Sequence, residues 1–273
     1  MHLNYALNPE IVSALCQEAG LGTAQIEIRA LAEGPRLSAG FGDLDDLAPA
    51  SMIKVPIAAT LCESWAQGES QPEQRVEVGR ENLTANDLPS PLVPGYRANL
   101  EELGRLMLTR SDNVATNVLI DFLGRERISE RCRAWGLAAT AVRRKLSGSL
   151  PLIADPGASG RNAHPARDAA ALFERIARSE AAGSSWLLQT LFAQEWNDKL
   201  SGGLDEGDRF AHKTGETSDV SHDGGILVLP DGRRYAIVAY TALPPESGSD
   251  RLSRFMRGLR PHLGARGSAV RSV

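Results

Sequence analysis

A chain of 273 residues with 42% hydrophobic residues can bury a substantial core, as one two-lobed domain or two small ones, and is neither disordered nor fibrous. Its 30 Lys and Arg against 34 Asp and Glu give a net charge of −4 with mixed signs, which excludes the basic footprint of a nucleic-acid binder. No apolar run is long enough to span a membrane, and the three cysteines, Cys16, Cys62 and Cys132, are an odd number without metal-ligand spacing.

The opening stretch, MHLNYALNPEIVSAL, lacks the basic and apolar regions of a signal peptide, so the sequence reads as cytoplasmic; a monomer with no membrane or nucleic-acid partner is expected. Asn8-Pro9-Glu10 starts a helix that places Ile11, Val12, Leu15 and Ala19 on one side and ends at Gly20. Residues 25–30 alternate Ile26 and Ile28 with polar neighbours, and 36–41 supply a partner strand across a turn at Glu33-Gly34-Pro35. An acidic approach, 43–49, leads to a helix over 51–66 that is apolar on nearly every side, the pattern of a buried helix, with Pro56 early enough to be tolerated. Cys16 and Cys62 lie in apolar helical patterns as small core residues. Residues 67–97, rich in Pro, Gly, Asn and Asp, read as loop.

Asn99 and Glu102 form a capping-box start to a helix reaching 108. Helices over 114–122 and 126–135 follow, closed by Gly124 and Gly136. After an irregular stretch, 147–162, an amphipathic helix is expected over 165–179 and another helix over 186–196. Strands are expected over 210–214, 225–229 and 234–241, the last two joined by Pro230-Asp231-Gly232. A final helix over 252–259 precedes a polar tail from 264. The five histidines show no ligand clustering, so neither a metal nor a cofactor is expected.

Three short motifs punctuate this pattern. In Ser51-Met52-Ile53-Lys54, helical spacing returns the amine to the side of the hydroxyl. A serine is a poor nucleophile until a base takes its proton, and a lysine serves when burial or a second cation lowers its pKa. Taken alone, the four residues read more readily as an N-cap serine followed by a solvated lysine, since such matches arise by chance in many proteins. Ser111-Asp112-Asn113 falls between two helices, and Lys213-Thr214-Gly215 precedes a strand. All three in this order constitute the motif set of penicillin-recognising serine enzymes, and the chain resembles the class A β-lactamase-like serine hydrolases over most of its length.

The resemblance implies an α+β fold of three layers, α/β/α. Residues 1–50 and 207–273 would form a lobe around an antiparallel sheet, 51–206 an inserted helical lobe, and the active site would lie at their seam. It makes Ser51 the acylated nucleophile, Lys54 its base, Ser111 the donor to the leaving nitrogen, and Asn113 a partner of Lys54 and the substrate amide, with Asp112 structural. Lys213 would keep Lys54 less basic and attract an anionic group, Thr214 would donate to a substrate carboxylate, and Gly215 would let the substrate lie against the strand. The oxyanion hole would be the N–H groups of Ser51 and Glu216.

Two departures stand out. The glutamate that positions the deacylating water in the family is expected near 147–150, where there is no carboxylate; Asp155 is the nearest acidic candidate, with an ordinary Asp-Pro-Gly turn as the alternative. Glu216 stands where the family has a small or neutral residue, and the arginine that supports a substrate carboxylate is missing, leaving His222 either to assist or to brace the sheet. The expectation is a serine hydrolase that forms an acyl-enzyme on Ser51 with a β-lactam or other activated amide or ester and deacylates slowly. Two alternatives stay open, a cytoplasmic esterase or peptidase of the same fold and a non-catalytic acylatable sensor. So does export, because family members that defend against β-lactams are usually exported.

Overall fold

A computed structural model describes residues 7–32, 36–40 and 47–263. The first helix, α1 (Pro9–Glu18), has Pro9 at its start and Asn8 as N-cap, whose Oδ1 accepts from the Ile11 N–H. It is followed by β1 (Ala24–Ala30) and β2 (Arg36–Gly40), which pair antiparallel; the expected turn at 33–35 lies outside the described residues, as does most of the acidic approach.

The helix expected from Ser51 begins later. A 3-10 turn, Ala50–Ile53, carries Ser51 and Met52, and the α-helix proper, α2, spans Lys54–Ala66. Pro56 explains the shift, because a proline fits the first α-helical turn but would clash with a carbonyl four residues earlier had the α-helix started sooner. Ten of the thirteen α2 residues are buried, Lys54 among them. Short strands β3 (Arg75–Glu77) and β4 (Arg97–Asn99) then frame a long loop.

Asn99 caps α3 (Leu100–Thr109), accepting from Glu102 N–H at 2.7 Å. Asp112 caps α4 (Asn113–Leu123) through Ala115 N–H at 2.8 Å. Gly124, at φ 83°, breaks α4 from α5 (Arg125–Ala134), and Gly136, also at φ 83°, follows α5; both conformations favour glycine. Then come α6 (Ala166–Ala177) and α7 (Ser184–Phe192).

Strands β5 (Arg209–Glu216), β6 (Ser221–Val228) and β7 (Arg234–Thr241) complete one antiparallel sheet in the order β2-β1-β7-β6-β5. Strand β7 shows why it has two buried faces. Ala236, Val238 and Tyr240 join the core formed with α2 to α7, while Ile237 and Ala239 join a second core beneath α1 and the last helix. That helix, α8, runs Pro245–Leu263 rather than 252–259. Gly248, in its first turns, is a contact: a Cβ there would lie 2.4 Å from Ser221 Cβ. Cys16, Cys62 and Cys132 are all buried, and burial raises each thiol pKa to about 12, far from reactive. Among the described residues no helix is long and apolar enough to cross a membrane.

Candidate active site

The three motifs converge. Lys54 Nζ lies 2.9 Å from Ser51 Oγ, 2.5 Å from Ser111 O, 3.0 Å from Ser111 Oγ and 2.7 Å from Asn113 Oδ1. Lys213 Nζ donates to the same Ser111 Oγ at 3.0 Å and to Thr214 O at 2.7 Å. The Ser111 hydroxyl therefore bridges two amines, one from the central helix and one from the sheet edge.

Electrostatics separates those amines from ordinary lysines. Both are fully buried, and burial is the largest cause holding the Lys54 pKa well below its usual value, with the nearby charge of Lys213 second. Asp112 and Asp87 oppose that shift. Burial likewise lowers Lys213 to about 7, against the opposing pull of Asp223. A neutral Lys54 has two N–H donors and one lone pair. The Ser111 carbonyl and Asn113 Oδ1 can only accept and so claim the two hydrogens. The lone pair is left for a hydroxyl proton, with Ser51 within reach.

Local backbone holds this geometry under strain. Ala50 and Ser111 have φ of 47° and 59°, a region that non-glycine residues visit at a cost of order 1 kcal/mol each. The first precedes the nucleophile and the second aims Ser111 between the amines. Gly215 permits a close approach of β5 to the nucleophile turn, since a Cβ there would stand 3.2 Å from both the Ser51 and the Met52 nitrogen. The Ser51 N–H and the Gly215-Glu216 backbone are thus neighbours.

A cleft of about 1180 Å³ opens over Ser51. Strand β5 forms one wall with Thr214, Gly215 and Glu216, and the irregular segment after α5 forms the other, with Arg144, Ser147, Gly148, Leu150 and Leu152. Gly148 anchors this segment: its N–H donates to Thr84 Oγ1 at 2.9 Å, and a Cβ would stand 1.9 Å from Ala85 O. Asn113 ties in from below, its Nδ2 donating to Ala85 O at 3.0 Å, so that amide is directed to protein as well as facing the cleft.

Two of the candidates drawn from sequence lie elsewhere. Asp155 is not on the cleft; its Oδ1 pairs with Arg125 and its Oδ2 accepts from Lys145 N–H at 2.7 Å, so it closes the irregular segment onto α5 and is unavailable to a water at Ser51. His222 is fully buried. It stacks on Tyr240 with centroids 4.1 Å apart. Its Nδ1 accepts from Thr241 N–H at 3.2 Å and its Nε2 donates to Ala48 O at 2.9 Å. Burial lowers the imidazole to about 4, and the ring braces the approach to Ser51 without touching the cleft.

Glu216 does face the cleft, with a partner that sequence reading missed. Lys199 Nζ lies 2.5 Å from Glu216 Oε2, the lysine buried and the carboxylate 40% exposed. Near Lys213, Asp223 pairs with His212 Nδ1 at 2.8 Å and accepts from Leu200 N–H at 2.9 Å, bracing the sheet beside His222. Lys199 sits between α7 and β5 in a segment with no periodicity, and no pattern could assign its direction.

Comparison with known proteins bears on the chain as a whole. Residues 9–256 match the model of the beta-lactamase enzyme family. The structure of PBP-A is similar at 25% identity, with a TM-score of 0.79, 94% of this chain covered and 97% of that one. A mutant of PBP-A, solved as an acyl-enzyme complex with penicillin G, is similar at 25% identity and TM-score 0.78, with 95% and 97% covered. A β-lactamase from Sphaerobacter thermophilus DSM 20745 shares the fold at 22% identity and TM-score 0.77, with 94% and 98% covered. No curated protein sequence matches the chain.

Proposed function

The chain belongs to the beta-lactamase enzyme family, and from that premise we propose that this serine hydrolase acylates Ser51 with β-lactams or other activated amides and esters and releases the acyl group slowly. The observation that carries the proposal is the convergence of Ser51, Ser111 and two depressed lysines within hydrogen-bond distance. Lys54 takes the Ser51 proton as Oγ attacks the carbonyl. The new third N–H of Lys54 meets Ser111 Oγ, which passes its own proton to the departing nitrogen or oxygen and takes one from Lys54 in return. The Ser51 and Glu216 N–H groups stabilise the tetrahedral oxyanion; one such donor is worth about 3 kcal/mol of barrier.

Slow release rests on the other wall. Ser147, Gly148, Ser149, Leu150 and Leu152 border the cleft and supply only hydroxyl, glycine and leucine groups, so no carboxylate there can activate a water. Intact-protein mass spectrometry with benzylpenicillin tests the proposal. Wild type gains one adduct of the penicillin mass and Ser51→Ala gains none; an adduct of equal yield on Ser51→Ala would remove Ser51 as the nucleophile.

Glu216 supports a narrower statement about substrate. An ionised carboxylate beside Thr214 disfavours substrates with a carboxylate on the leaving group, although Lys199 offsets part of its charge. Glu216→Ala should raise the acylation rate with benzylpenicillin about tenfold and leave a neutral p-nitrophenyl ester within twofold, by the roughly 1.4 kcal/mol that a partly screened charge pair can supply. Equal effects on both substrates would mean that Glu216 acts only through the backbone.

A further inference from the structure

The cleft sorts charge between its two walls. Four basic side chains line it: Arg144, Lys145, Arg161 and Lys199. Lys145 is spent on Asp121 at 2.6 Å and Lys199 on Glu216. Arg144 and Arg161 make no ion pair among the described residues; the Arg144 side chain reaches only its neighbour's carbonyl, Lys145 O at 3.4 Å, and Arg161 is exposed. Both stand on the irregular segment, beside Leu150 and Leu152, which are 83% and 53% exposed and line the same cleft. Exposed leucines beside unmatched guanidiniums are an unusual use of surface unless something apolar and anionic covers them.

The acidic lining residues are Asp87, Asp198, Glu216 and Glu246. Glu216 is matched by Lys199; Asp198 and Glu246 belong to the stretch before β5 and to the start of α8, the opposite wall. Only Asp87 stands on the loop that meets the irregular segment, through the contact of Thr84 with Gly148. Among the described residues, the irregular wall sets two unpaired positives against one negative, and the β5 wall carries two negatives, Asp198 and Glu246, without an ion pair.

Direction follows from the proposed chemistry, on which this step rests. Under that chemistry Ser111, held by Lys213 of β5, protonates the leaving group, which puts the leaving group on the β5 side. The acyl group on Ser51 is then left the facing wall, lined by Leu150, Leu152, Arg144 and Arg161. We infer that the preferred substrates carry an acyl group with a short apolar spacer ending in an anion, read by Arg144 and Arg161, and have a leaving group without a carboxylate. Guanidinium forks suit a terminal carboxylate because two parallel N–H donors meet its two oxygens.

Two esters with the same leaving group test this without any β-lactam. Mono-p-nitrophenyl glutarate and p-nitrophenyl valerate have five-carbon acyl groups and differ in a terminal carboxylate. After the release seen with Ser51→Ala is subtracted, wild type should release p-nitrophenol from the glutarate at least tenfold faster per unit concentration, and the advantage should shrink in high salt. Arg144→Gln/Arg161→Gln should lower the ratio to near one, mainly by slowing the glutarate, and Arg161→Glu should push it below one. A Ser51-dependent release that treats the two esters alike in wild type, or a ratio unaltered in the double variant, overturns the inference alone. Absence of any Ser51-dependent release from either ester overturns the acyl-enzyme proposal and this inference with it.

Discussion

Lys54→Met should lower the rate of Ser51 acylation about 10³-fold, within the range that a positioned general base contributes. Methionine keeps the length and the burial, so α2 retains its packing while the lone pair facing Ser51 is lost. The wild-type rate should rise with pH through the depressed Lys54 pKa, since only the neutral amine accepts the serine proton, and this rise should vanish in the variant. Stability carries the same signature. Lys54 and Lys213 both have folded pKa values below their unfolded ones, so the unfolded chain binds more protons and stability increases as pH climbs from about 7, the Lys213 value, toward 10.5. Removing Lys54 should flatten that increase in the melting temperature without abolishing it, because Lys213 remains. A variant that acylates within tenfold of wild type would assign the base to another group.

The second large effect is a gain. Leu150→Glu should speed hydrolysis of the penicillin adduct about 10²-fold, the lower part of the general-base range. Leu150 lines the cleft and is almost wholly exposed, so the substitution buries no charge and should leave stability within about 0.5 kcal/mol. Leu150→Gln is the control, since it matches the glutamate in size and polarity and takes no proton near neutral pH. Equal acceleration by both variants would show that added polarity or a reshaped wall, rather than a base, had been limiting.

What the sequence made legible was what periodicity and motif chemistry can carry. The all-round apolar pattern of 51–66 gave the buried helix, and the strand expected over 234–241 is β7, whose two covered faces only the structure shows. Glycines at 124 and 136 marked real helix boundaries. Less was legible where a residue's use depends on a distant partner. The last helix was expected only from 252, yet it starts at Pro245, where Gly248 gives the close contact with Ser221. Asp155 had no visible partner in sequence, since Arg125 lies 30 residues away. The direction of Lys199 was hidden in an irregular segment, and with it the pairing that tempers Glu216. The segment 147–152 offered no pattern at all; the hydrogen bond of Gly148 to Thr84 is what brings it to the cleft.

The central claim is that acylation machinery is complete while deacylation machinery is not, and a rapid-mixing experiment with a chromogenic cephalosporin measures both halves at once. One equivalent of opened ring per enzyme should appear in an initial burst, followed by a steady rate at least a hundredfold slower, with the burst absent in Ser51→Ala. Linear hydrolysis from the first turnover, with no burst and no adduct accumulating, would contradict it.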